Sequence, residues 1–219
     1  MKIWFISDTH REHAKLQVPD VDLVIHCGDE SNHGNAWFNE SEARTFFEWY
    51  SALPIPTKIF VPGNHSTAIE KGLLGGSDYP DVDFLIHRDM MWNGWKIFGS
   101  PYTPSYFQWS YMKPRLQLDA VWQTIPDDID ILITHGPPKG IFDVTRDMES
   151  HEPIHVGSKS LRRHVEDRIQ PKVHAFGHIH DEPGIRNFGV LTQGATQFIN
   201  CSCCDVGGKH RNNGFVLVL

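Results

Sequence analysis

Short apolar runs, each closed by polar residues, recur along the chain. Lys2–Ser7 ends at Asp8-Thr9-His10, and Asp22–Cys27 ends at Gly28-Asp29. Thr57–Val61 ends at Pro62-Gly63-Asn64-His65, Asp130–Thr134 at His135-Gly136, and Lys172–Phe176 at Gly177-His178-Ile179-His180. Each run is too short for a helix and is flanked by turn formers, so each predicts a buried strand. Val82–His87, Trp95–Ser100, Gly189–Thr192, Thr196–Cys201 and Gly214–Leu219 predict further strands. Helical spacing appears between them. Glu40–Leu53 puts Ala43, Phe46, Phe47, Tyr50 and Leu53 on one face, with Asn39 and Glu42 spaced as in a capping box. Arg115–Ile125 aligns Leu118, Val121, Trp122 and Ile125, and Ser158–Ile169 aligns Leu161, Val165 and Ile169. Strands alternating with helices predict a layered α/β fold. The chain shows no internal repeat, low-complexity stretch or linker, so residues 1–219 predict a single domain. Gly72–Pro80 and the aromatic stretch Tyr102–Tyr111 predict surface loops.

Composition narrows the picture. The 219 residues are 40% hydrophobic and 21% charged, which excludes disordered, collagen-like and coiled-coil chains. A chain of this size buries enough surface to hold a core without disulfides. The net charge of −7 argues against nonspecific nucleic-acid binding and against an anionic membrane surface, both of which need basic groups. It leaves open a small phosphate ester held through metal ions. No stretch approaches the roughly 20 apolar residues of a membrane span. The apolar run after Met1-Lys2 is shorter than a signal peptide requires. Cys27 stands alone, whereas Cys201, Cys203 and Cys204 are bunched, a pattern that predicts free thiols in a reducing cytoplasm. Oligomeric state is left undetermined.

The chemistry gathers where the runs end. In an open α/β sheet, functional groups collect past the carboxyl ends of strands. Those positions here are Asp8, His10, Asp29, Asn64, His65, His135, His178 and His180. Any one of these groups alone would read as a turn or a cap. Five such groups at five strand ends in one chain point to a site. Asp, Asn and His supply mixed oxygen and nitrogen donors without cysteine, which suits Mn, Fe, Zn or Co rather than a thiolate zinc site. Seven ligands exceed the needs of one ion with an open position. They fit two ions sharing a bridging carboxylate, an arrangement suited to in-line phosphoryl displacement.

Asp8-x-His10, Gly28-Asp29, Gly63-Asn64-His65, His135 and Gly177-His178-x-His180 resemble, in order, the motifs of the calcineurin-like metallophosphoesterases. Pro101-Tyr102-Thr103-Pro104, Gln108-Trp109, the stretch Ile131–Pro138, the stretch Gln170–His180 and Phe198-Ile199-Asn200 resemble the MPPED-type subfamily. The resemblance implies a four-layer α/β/β/α sandwich, with two mixed sheets face to face and helices outside. It implies that Asp8, His10 and His180 hold a first divalent ion, that Asn64, His135 and His178 hold a second, and that Asp29 bridges them. It implies a phosphoester hydrolase working by in-line attack of a metal-bridging hydroxide. Manganese is the expected ion, with Fe, Zn or Co as alternatives, because oxygen and nitrogen donors bind several divalent metals and availability then decides. In such enzymes His65 binds no metal. It contacts the substrate phosphate and serves as a proton donor to the leaving group. One position departs from the pattern. Ser66 stands where the family carries Asp or Glu, the carboxylate that orients this histidine.

Other residues keep two readings. Cys201-Ser202-Cys203-Cys204 lacks the second ligand pair of a zinc site and reads as buried thiols. His33 follows Asp29 closely enough to reach the pocket. Tyr102, Tyr106, Phe107, Trp109 and Tyr111 suit either stacking on a nucleobase or a small apolar core beneath the loop. Arg115 suits either a phosphate or the surface of a helix. The leading expectation is a phosphodiesterase of small substrates, including nucleotides. A phosphomonoesterase or phosphoprotein phosphatase uses the same metals, and a nucleotide-binding regulator with weak catalysis is the non-enzymatic alternative.

Overall fold

The computed structural model describes residues 1–219. In chain order the strands are β1 (Lys2–Ile6), β2 (Leu23–His26), β3 (Thr57–Phe60), β4 (Asp83–Phe84), β5 (Arg88–Trp92), β6 (Trp95–Ser100), β7 (Thr103–Pro104), β8 (Met112–Lys113), β9 (Ile131–Thr134), β10 (Val144–Arg146), β11 (Pro153–His155), β12 (Val173–Phe176), β13 (Gly189–Gln193), β14 (Thr196–Asn200) and β15 (Phe215–Val218). The helices are α1 (Ala36–Ser51), α2 (Thr67–Glu70), α3 (Arg115–Gln123) and α4 (Lys159–His164), the last continued by a π-turn over Val165–Ile169.

One sheet has the order β15-β1-β2-β3-β4 and the other β13-β14-β12-β9-β6-β5. Within them β1, β2 and β3 run parallel, as do β6, β9, β12 and β14, so each set delivers its carboxyl ends to one edge. These central strands are apolar on both faces because both faces are covered. The two-residue period of a strand sorts them. Ile3, Phe5, Leu23 and Ile25 meet Ile131, Ile133, Val173 and Ala175 in the core between the sheets. Trp4, Ile6 and Val24 face the other way, onto Ala43, Phe46, Phe47 and Tyr50 of α1. Leu132 and Phe176 pack outward against Leu118 and Trp122 of α3 and Leu161 of α4. The result is the four-layer α/β/β/α sandwich that the resemblance implied.

Differences from the sequence reading are local. Helix α1 begins at Ala36 because Asn35 is its cap, accepting from the Trp37 amide at 3.1 Å. Asn39, expected as the cap, lies inside the helix and is buried. The predicted strand Val82–His87 shrinks to Asp83–Phe84. The edge strand β5 was not expected, since Arg88 and Asp89 break its apolar pattern. It pairs with β6 across Asn93-Gly94, whose φ values of 47° and 82° suit a tight hairpin.

Candidate metal centre

The ends of β1, β2 and β3 deliver Asp8 and His10, Asp29, and Asn64 and His65. The ends of β9 and β12 deliver His135, and His178 and His180. Two clusters form across the seam between the sheets, Asp8–His10–His180 and Asp29–His135–His178, each with its ligand atoms within 4.8 Å of one another. Asn64 joins the second, its Oδ1 2.9 Å from His135 Nε2. All seven predicted ligands therefore share one neighbourhood, with the His65 ring 5.1 Å from that of His10.

Bringing them together forces the backbone. Asp8, His10, Asp29 and His178 have φ of 50°, 42°, 61° and 69°, a left-handed region that non-glycine residues occupy at a cost of about 1 kcal/mol or more each. Two glycines allow the carboxylates to pass. A Cβ on Gly63 would lie 2.2 Å from Asp29 Oδ1, and one on Gly177 would lie 2.0 Å from Asp8 Oδ2. Hydrogen bonds then fix both carboxylates. Asp8 accepts from the His178 amide at 3.0 Å and from Ser202 Oγ at 2.8 Å, and Asp29 accepts from the His65 amide at 2.7 Å.

The imidazoles are oriented by backbone carbonyls. The Nδ1 of His10 donates to Ser31 O at 3.0 Å, that of His135 to Cys27 O at 2.8 Å, and that of His180 to Asp205 O at 3.0 Å. A carbonyl only accepts, so each Nδ1 carries the proton and each Nε2 turns a lone pair inward, the arrangement that metal-binding histidines use. His135 Nε2 then faces Asp29 Oδ2 at 3.2 Å as well as Asn64 Oδ1. His180 Nε2 faces Asp8 Oδ1 at 3.1 Å. Acceptors pointed at one another in a buried space call for a cation between them, so the donor set fits divalent ions. Protonation answers the same demand. Burial opposes a charge on His135, but Asp29 overrides it and raises the pKa to about 9. His180 is likewise raised, with burial opposed by Asp8. Burial also works against ionised Asp8 and Asp29, yet the facing imidazoles hold both well below the usual carboxylate range. His10 and His178 have no such direct partner, and burial lowers them to about 4 and about 3.

His65 and Ser66 have separate partners. Its Nδ1 donates to Asn32 O at 2.9 Å, and its ring lies against Trp109 at 4.2 Å. The Ser66 hydroxyl turns away from it, donating to Glu30 Oε2 at 2.6 Å and accepting from the Gly63 amide at 2.9 Å. Glu30 is fully buried behind Asp29, and burial raises its pKa to about 7 against the pull of the Ser66 hydrogen bond. Serine at this position thus serves a neighbouring carboxylate rather than leaving the histidine unsupported.

Several supporting residues escaped the sequence reading. Asn39 donates to His65 O at 2.6 Å and accepts from the Ala68 amide at 2.8 Å, tying α1 to the His65 loop. His26 accepts from the Gly28 amide at 3.1 Å and reaches Thr9 Oγ1 at 3.1 Å, pinning two ligand loops from behind. A histidine within an apolar strand was the available signal for it. Ser202 follows β14, one more strand end of the kind that marked the others.

Other candidates fall outside. His33 is exposed and packs on Phe38. Arg115 binds the carbonyls of Gly157 and Val156. The four cysteines are buried and free, with none in either cluster. The aromatic loop divides. Tyr111 is buried near Tyr102, whereas Tyr106 and Trp109 line the cleft over the clusters. That cleft has a volume of about 540 Å³, and no lysine or arginine lines it.

Comparison with known proteins agrees with this architecture. The family model described as calcineurin-like phosphoesterase matches residues 1–182. Human metallophosphoesterase domain-containing protein 1 is 32% identical over 240 residues, covering 98% of this chain and 69% of its own. The Caenorhabditis elegans UPF0046 protein K07C11.7 is 32% identical over 234 residues, covering 100% of this chain and 75% of its own. Among solved structures, the phosphopantetheinyl hydrolase PptH from Mycobacterium tuberculosis superposes with a TM-score of 0.63 at 15% identity, over 94% of this chain and 90% of that one. The fold, the family match and the length of the shared sequence converge, and the chain belongs to the calcineurin-like phosphoesterases, in their MPPED-type branch.

Proposed function

We propose that the chain is a binuclear-metal-dependent phosphodiesterase of small substrates. The observation that carries the diester reading is the charge of the cleft, which no lysine or arginine lines. A phosphomonoester dianion commonly gains from a cationic side chain in addition to its metals. A diester carries one negative charge, which two divalent ions suffice to balance. In this reading Asp8, His10 and His180 hold one ion, Asn64, His135 and His178 hold the other, and Asp29 serves both. Such a pair supplies Lewis acidity for in-line displacement at phosphorus. Manganese is the proposed native ion, since oxygen and nitrogen donors accept several divalent metals and availability then decides. Buried free thiols suit a reducing compartment, and the cytoplasm is the proposed location.

The protein's own part is orientation and proton supply. With Nδ1 committed to Asn32 O, His65 presents Nε2 to the cleft. In its imidazolium form Nε2 donates to a phosphoryl oxygen and passes a proton to the departing alkoxide. Trp109 and Asn39 keep the ring and its peptide in place.

The test compares bis(p-nitrophenyl) phosphate with p-nitrophenyl phosphate after chelation and after return of Mn, Zn, Fe or Co singly. Expected are two ions per chain, no turnover without metal, highest turnover with Mn, and kcat/KM at least tenfold higher for the diester. Turnover by demetallated protein overturns the metal assignment, and monoester preference overturns the diester reading. His65→Ala should keep both ions while losing most activity toward alkyl leaving groups and little toward p-nitrophenolate.

A further inference from the structure

A chain of hydrogen bonds runs back from His65 and ends on a charge. The ring Nδ1 donates to Asn32 O at 2.9 Å. That carbonyl shares a peptide group with the His33 amide, which donates to Glu42 Oε2 at 2.9 Å. The same oxygen accepts from the Asn32 amide at 2.8 Å. Spacing from Asn39 suggested a capping box for Glu42, but its carboxylate binds this loop instead. Helix α1 also grips the two loops through Asn39, whose Nδ2 donates to His33 O at 2.8 Å and to His65 O at 2.6 Å. The Glu42 side chain is only 15% exposed. Its other oxygen faces the Arg11 guanidinium at 3.5 Å, but that group is 61% exposed, and water screens most of its charge.

On the footing of the proton-donor reading of His65 above, we propose that Glu42 is a positioning residue for that histidine, its negative charge reaching the ring through the peptide between Asn32 and His33. Hydrogen bonds in series polarise one another. A peptide whose N–H is held by a carboxylate therefore turns a more negative carbonyl to its other partner. Asn32 O holds the Nδ1 proton more firmly than the carbonyl of an unpolarised peptide would. The ring is then fixed with Nε2 toward the cleft, and positive charge on it is stabilised while it donates to the phosphate. The Ser66 hydroxyl gives the ring no such charge, because it donates to Glu30. Bracing the loop takes only an acceptor, which the amide oxygen of glutamine also offers. Acting on His65 takes the charge, so Glu42→Gln separates the two roles.

The experiment uses the metal-replete full chain and the p-nitrophenyl, phenyl and benzyl esters of methyl phosphate, in which only the leaving group changes. Glu42→Gln should keep two ions per chain. Its kcat/KM should fall about twofold on the p-nitrophenyl ester and about tenfold on the benzyl ester, part of the roughly hundredfold or more that a general acid contributes. In a His65→Ala background the same substitution should cost about twofold or less on the phenyl ester, because its effect runs through the ring. In zinc-loaded protein the magnetic resonance of the His65 Nδ1 proton should move upfield in Glu42→Gln as its hydrogen bond weakens. Loss of metal, equal losses on all three esters, no loss on any, an unmoved Nδ1 proton, or the same loss with and without His65 overturns the proposal while the proton-donor reading stands. A His65→Ala protein whose loss does not grow as the leaving group worsens overturns both.

Discussion

Ser66→Asp restores the residue type that the family pattern carries beside its histidine, yet here it should destabilise the protein. The Ser66 hydroxyl lies 2.6 Å from Glu30 Oε2, and both side chains are fully buried. An aspartate in that place would bring two carboxylates within about 3 Å, where two bare charges repel by about 5 kcal/mol at an effective dielectric of about 20. Paired carboxylates escape such repulsion by sharing a proton. Glu30, whose pKa burial raises to about 7, already carries such a proton in the wild type below that pH, so the pair starts with one proton and one charge. Above about pH 7 wild-type Glu30 releases its proton whereas the pair must keep it, so the variant loses stability relative to wild type by about 1.4 kcal/mol per pH unit as pH rises. Relative to wild type, the loss from this source should be small at pH 5 and about 1.4 kcal/mol at pH 8, well below the cost of bearing the bare repulsion. Urea denaturation of chelator-treated protein at the two pH values measures it. Ser66→Ala, which removes the same hydroxyl without adding charge, sets the baseline. A Ser66→Asp protein as stable as Ser66→Ala at pH 8, or one that loses more at pH 5 than at pH 8, refutes the placement of Ser66 against Glu30.

Four further variants test other parts of the molecule. Asp29→Asn should drop metal content below two ions per chain, by elemental analysis, whereas Ser202→Ala should keep both ions but weaken binding about tenfold, through loss of a 2.8 Å charge-assisted hydrogen bond to Asp8. Equal metal affinity in Ser202→Ala and wild type would show that Asp8 needs no such support. Gly63→Ala should lose about 3 kcal/mol or more of stability, because its Cβ would fall 2.2 Å from Asp29 Oδ1, and an unchanged Tm would contradict that contact. His174 is buried in β12 with its Nδ1 unpartnered, and burial lowers its pKa to about 3. It stays neutral in the fold while the unfolded chain takes up a proton below about pH 6.5, so stability falls as pH falls. About 2.7 kcal/mol should be lost between pH 6.5 and 4.5, a loss that His174→Gln removes from the urea midpoint profile.

The strands and the candidate ligand cluster were legible because one physical rule governs both. A strand buried on two faces is apolar at most positions, with His26, Lys58 and His174 as exceptions here, and the chain turns mainly polar where it leaves the sheet, which in this fold is where the candidate ligands stand. Asp8, Asn64 and His178 could therefore be read from where their runs end. Strand β5 could not, since an edge strand with one wet face keeps Arg88 and Asp89. Its Asn93-Gly94 turn was the overlooked signal. The support around the ligands was less legible because it depends on contacts distant in sequence. Asn39 has the spacing of a cap, but it lies 26 residues from the His65 carbonyl it holds, and Ser202 lies 194 residues from Asp8. The hydrogen bond from Ser66 to Glu30 was illegible for the same reason, for nothing local shows that Glu30 turns inward to meet it.

The left-handed backbone at Asp8, His10, Asp29 and His178 has a consequence for descent. At these four positions a side chain is retained against conformational preference, and the proposed ligand role is what compensates. In a lineage released from hydrolysis, glycine relieves the strain outright and asparagine tolerates it better than most residues, whereas alanine keeps the strain and gives nothing back. Decay of the centre should therefore be directional. Relatives that have abandoned chemistry should carry glycine or asparagine at these points, and their folds should be more stable than those of their active ancestors.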